Sequence, residues 1–84
     1  MSDLEFDVLD ELYFVSSYAE LKASTEMEDT DLKPILIKMF TKGWLRCYDK
    51  PEIELETNAV DLEVEFRNYY YLASKEGMKA HNNN

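Results

Sequence analysis

Eighty-four residues, 45% of them apolar and 13% aromatic, are enough for one small domain with a core and too hydrophobic for general disorder. Eighteen acids against nine Lys and Arg give a net charge of −9, so phosphate is repelled except where a local basic patch meets it. A single cysteine, no apolar run near the ~20 residues that span a bilayer, and no basic-then-apolar leader predict a soluble cytoplasmic protein without disulfides.

The charge is uneven. Residues 1–31 carry −9, residues 32–48 carry +4 from Lys33, Lys38, Lys42 and Arg46, and residues 49–66 carry −6. In the opening segment LEFDVLDELYFV, Leu4, Val8, Leu12 and Val15 recur at three- and four-residue spacing, which predicts an amphipathic helix. Phe6, Tyr13 and Phe14 lie off that stripe and are candidates for a subunit contact. Ser16 or Ser17 caps a second helix, YAELKAS, with Tyr18 and Leu21 inward. Thr30 or Asp31 starts a third, with Pro34 near its first turn, a buried face of Leu32, Ile35, Leu36, Met39 and Phe40, and Gly43 at its left-handed end.

Beyond Gly43 the apolar period changes to two. WLRCY reads as a strand. Ile53 and Leu55 alternate with glutamates in a second, and Leu62, Val64 and Phe66 do so in a third that continues through Tyr69, Tyr70, Tyr71 and Leu72. Thr57, Asn58 and Ala59 are the expected hairpin turn. Ser74 caps a last helix, KEGMKAH, which Gly77 weakens. The expectation is one α+β domain over residues 1–81, a three-helix bundle with a β-hairpin and a short terminal helix, and a disordered tail over residues 82–84.

Leu21, Met27, Leu32, Leu36, Met39 and the Gly43-Trp44-Leu45 turn fall at intervals that resemble the winged helix-turn-helix domain of bacterial transcriptional regulators. The closing YYYLASKEGMKAH is similar to that family's final wing strand and helix. The resemblance covers most of the chain and implies a winged-helix fold whose third helix is the recognition helix. Two positions depart from the family pattern. Glu26 stands where a glycine usually precedes the apolar plug of the turn, and the hairpin is acidic where wings tend to be basic.

On the third helix, Pro34, Ile37, Lys38 and Thr41 point away from the apolar stripe, flanked by Lys33 and Lys42. Lysines suit phosphates, but the face offers none of the Arg, Asn or Gln side chains that usually read base edges. Glu26, Glu28, Asp29 and Asp31 crowd the helix N-terminus, where they also favour its dipole. Ile37 in the centre of this face suits a protein contact instead. The leading expectation is therefore a non-catalytic regulatory protein that docks a protein partner or its own twin. The alternative is a dimeric DNA-binding regulator using the same helix.

Catalysis finds little support. His81 lies three residues from the end, in a segment expected to be mobile. Cys47 sits in a strand without a His or Asn partner, which suits a buried structural thiol. Two glycines form no phosphate loop, and Asp29 and Asp31 begin a calcium-loop spacing that fails at Lys33. No cofactor, metal or small-molecule substrate is expected.

Overall fold

A computed structural model of the chain describes residues 1–83. Helix α1 (Asp3–Glu11) begins with a capping box. Ser2 Oγ accepts from the Glu5 amide at 3.2 Å, and Glu5 Oε1 accepts from the Ser2 amide at 3.0 Å. Its inward side is Val8 and Leu9, continued by Leu12 just past its end, together with Glu5, which is 2% exposed. Leu4, expected in the core, is instead exposed, because the buried side is centred near Glu5, Leu9 and Leu12 rather than on the 4–8–12 line.

Strand β1 (Ser16–Ser17) leads into α2 (Tyr18–Thr25), which Ser17 caps through a second box with Glu20. Tyr18 and Leu21 are buried, as expected. Glu26 ends α2 in the left-handed region at φ 58° and ψ 27°, its amide donating to the Lys22 carbonyl at 2.9 Å. A side chain there costs about 1–2 kcal/mol that glycine avoids. Glu26→Gly should therefore raise stability by about 0.5–1 kcal/mol, after the extra chain entropy of glycine is deducted. A lower thermal midpoint for the variant would mean that the Glu26 side chain makes a stabilising contact.

Glu26, Met27 and Glu28 alone separate α2 from α3 (Asp29–Thr41), and Met27 is buried between them. Leu32, Leu36 and Met39 are buried, while Ile35, Ile37 and Phe40 are partly buried. Pro34 is the sixth residue of the helix and lacks the amide hydrogen that would meet the Thr30 carbonyl. The helix ends in a Schellman-type closure. Gly43 at φ 81° donates to Phe40 at 3.0 Å, and Trp44 donates to Met39 at 2.9 Å.

Strand β2 (Leu45–Lys50) turns at Pro51 and Glu52 into a two-residue β3 (Ile53–Glu54). The expected reversal at Thr57–Ala59 is a 3-10 turn instead. Residues expected to form a third alternating strand form helix α4 (Leu62–Glu65), capped by Asp61, and a 3-10 turn (Phe66–Asn68). Leu62 and Phe66 are buried one turn apart, and Val64 between them is 68% exposed. Strand β4 (Tyr70–Ala73) then enters the sheet, whose order is β1-β4-β2-β3 with every pairing antiparallel.

Helix α5 (Lys75–Asn82) is capped by Ser74, whose Oγ accepts from the Gly77 amide at 3.0 Å. It includes Asn82, the first residue of the expected tail, and Asn83 follows as its cap; Asn84 lies outside the described residues. His81 is buried on α1 rather than carried on a mobile end. The architecture is thus α+β, with five α-helices around a four-stranded antiparallel sheet among the described residues. One apolar core joins Val8, Leu9 and Leu12 to Leu21, Leu32, Leu36 and Met39, and these to Leu45, Cys47 and Tyr71 of the sheet. No described helix is long and apolar enough to cross a membrane.

Candidate functional site

The exposed side of α3 meets α4 along an open groove of about 450 Å³, lined by Lys33, Pro34, Ile37, Lys38 and Glu63. Four of the six residues expected on the outward face of α3 therefore come together. Leu62 and Phe66, packed into the core, hold α4 against α3 and bring Glu63 to the groove. Glu63 was hidden in the sequence by its apparent place in a strand. The signals that point to it are Asp61, a helix-capping residue accepting from the Val64 amide at 3.3 Å, and the four-residue spacing of Leu62 and Phe66.

Every lysine of this face is already met by an acid. Lys33 Nζ lies 3.4 Å from Glu63 Oε2 and 5.1 Å from the Phe66 ring centroid. Lys38 and Lys42 converge on Glu5 of α1, at 3.9 and 3.1 Å, and Lys42 also lies 4.3 Å over the Trp44 ring. Burial alone would raise the Glu5 carboxyl, but the Ser2 amide and the Lys42 ammonium outweigh it and lower it to about 2. Lys42 consequently points away from the groove. Thr41 is also outside it, donating its hydroxyl to the Ile37 carbonyl at 2.8 Å and facing a separate cleft with Gly43, Arg46 and Ser74. Pro34 and Ile37 remain as the apolar floor.

Asp29, at the start of α3, is fully engaged. Tyr18 Oη donates to it at 2.6 Å, Lys22 stands at 3.1 Å and Arg67 at 2.9 Å, and these partners hold its carboxyl well below the usual range, the Tyr18 bond foremost. Burial first, and then the hydrogen bond it donates to Asp29, push the Tyr18 hydroxyl up. No three His, Cys, Asp or Glu among the described residues are grouped to hold a metal. Cys47 is buried in β2, and burial raises its thiol to about 12, which keeps it protonated.

Of the three expected contact aromatics, two are used within the chain. Phe6 stacks on His81 with centroids 4.3 Å apart, and Tyr13 meets the same ring edge-on at 5.6 Å. The imidazole lies between Tyr13 Oη, 3.2 Å from Nδ1, and Asp10 Oδ1, 3.2 Å from Nε2. Asp10, in the last turn of α1, and Tyr13, in the turn that follows the helix, together clasp α5 onto this end of α1. Phe14 stands apart at 82% exposed. Comparison with known protein families, with curated proteins and with solved structures yields no match.

Proposed function

We propose that the chain is a small, non-catalytic, winged-helix-like regulatory protein of the cytoplasm that docks a protein partner, or a second copy of itself, on the outer face of α3. The winged-helix reading is supported by the three-residue link from α2 to α3, by the left-handed backbone of Glu26 where the family carries glycine, and by the antiparallel β2 and β4 that follow. Residues 51–69 are then an elaboration of the wing, folded back on α3.

The observation that carries the docking reading is that each α3 lysine is already engaged by an acid in place. Lys33 faces Glu63, and Lys38 and Lys42 share Glu5, so the apolar groove floor of Pro34 and Ile37 is the unspent part of the face. Phosphate binding would have to compete with those carboxylates and with a net charge of −9. Small apolar surfaces rimmed by charge are the common form of protein contacts.

A dimeric DNA-binding regulator using Lys33, Lys38, Thr41 and Lys42 is the second reading, favoured by the position of α3 after a short helix-linking turn. Fluorescence anisotropy with labelled duplex DNA over a salt series separates the two. The expected result is no binding even at low salt. Salt-sensitive binding that disappears in a folded Lys33→Gln, Lys38→Gln variant would establish the second reading and overturn the first.

A further inference from the structure

Beyond the α3 groove, the outward side of α1 offers apolar side chains that the fold leaves unused. Phe14, in the link between α1 and β1, is almost free of contacts, and Leu4 at the other end of α1 is about half exposed. At about 100° per residue, Asp3, Asp7 and Asp10 share the side of α1 opposite the buried Val8 and Leu12, with Glu11 beside them. Asp7, Asp10 and Glu11, with Ser24 and Thr25 of α2, line an open cleft of about 210 Å³.

The chain does not answer this charge. Among the described residues, Asp3, Asp7 and Glu11 have no ion-pair partner, and Asp10 has His81 alone. All Lys and Arg side chains except Lys50 and Lys75 are in ion pairs elsewhere among those residues. A second copy is a poor occupant for the same reason. Two-fold pairing through α1 sets Asp7, Asp10 and Glu11 against their own images, with few loose cations to separate them. Nucleic acids and anionic membranes meet the same repulsion.

We propose that this face docks a basic amphipathic segment of another protein, with its apolar side chains on Phe14 and Leu4 and its Lys or Arg over Asp7 and Glu11. Aromatic and aliphatic anchors provide buried area, and the unpaired carboxylates select the sign of the partner. The surface shares no residue with the α3 groove, so its failure and the failure of the groove reading are separate results.

The test titrates the full chain with a labelled, helix-forming peptide bearing leucine at i, i+3, i+4 and i+7 and lysine elsewhere. Binding should weaken with salt, and amide chemical shifts should move at residues 4–14 and 24–25. Replacing the peptide lysines with glutamate, or its leucines with serine, should abolish binding. Phe14→Ser, which alters an exposed side chain, should weaken it by about tenfold or more while leaving the unfolding midpoint in place. Asp7→Asn with Glu11→Gln should do the same, and Ile37→Ser in the α3 groove should not. Undiminished binding by the Phe14→Ser protein, or shifts that map away from α1, would overturn the proposal. So would a dimer in sedimentation analysis that Phe14→Ser converts to monomer, because that assigns the face to a second copy.

Discussion

Replacing Gly77 with alanine should destabilise the protein by at least about 2 kcal/mol, although alanine is the better helix former by about 1 kcal/mol. A Cβ at this position would stand 2.3 Å from the Trp44 carbonyl oxygen, 3.1 Å from its carbon and 3.2 Å from Leu9 Cδ2. The carbonyl cannot retreat easily, because it accepts from the Ser74 amide at 2.8 Å and so ties the residue before β2 to the junction of β4 and α5. The strain has to be relieved by lifting α5, which also opens the Phe6–His81 stack and the Asp10–His81 bond. Urea denaturation measures the loss. Gly43→Ala is the control, since open space surrounds that position and only its φ of 81° is violated, a cost of about 1–2 kcal/mol. A Gly77→Ala protein as stable as the original would mean that α5 does not rest on Trp44.

The second large effect is an acid sensitivity centred on Glu5. Its carboxyl is lowered from 4.5 to about 2 in the folded protein. A lowered acid stabilises the fold fully above the unfolded value, and that stabilisation drains away as pH falls from about 4.5 towards 2. The gap corresponds to about 3 kcal/mol, a large share of what a domain of this size holds. Glu5→Gln should cost about 2–3 kcal/mol at neutral pH, because it leaves Lys42 without its buried counter-charge. Asp29 is also held down by its partners, so the variant will keep some acid sensitivity. The difference between the two stability curves, measured by urea unfolding at intervals from pH 7 to pH 2, isolates Glu5. Parallel curves would show that the Ser2–Glu5–Lys42 cluster does not form.

The helical half of the molecule was legible because its signals are local. Ser17 and Ser74 are capping residues in place, Gly43 is the left-handed stop, and Leu32, Leu36 and Met39 keep the helical period. The misreading of Leu62–Phe66 has a simple cause. A four-residue helical repeat and a two-residue strand repeat both place Leu62 and Phe66 on one side, so Val64 alone distinguishes them, and an exposed valine gives the wrong sign. Leu4 misled in the same way, drawing the apolar side of α1 away from Leu9. His81 was unreadable for a different reason. Its burial depends on Gly77 fitting against Trp44, a contact across 33 positions that no local pattern records. The α3 residues of the groove were visible, but Glu63, which neutralises Lys33 there, depended on the helix that the alternation concealed.

The strand that holds the sheet together is the last of the four described strands in chain order. Both β1 and β2 bond to β4 and not to each other. The residues ahead of Tyr70–Ala73 contain α1 to α4 and a short hairpin, but nothing to join Ser16–Ser17 to Leu45–Lys50. Tyr71, wholly buried with its hydroxyl 2.6 Å from the Phe66 carbonyl, arrives with that strand and fills the core from within. The sheet therefore closes only when this strand is present, and a chain cut just before Tyr70 should behave as a loose set of helices.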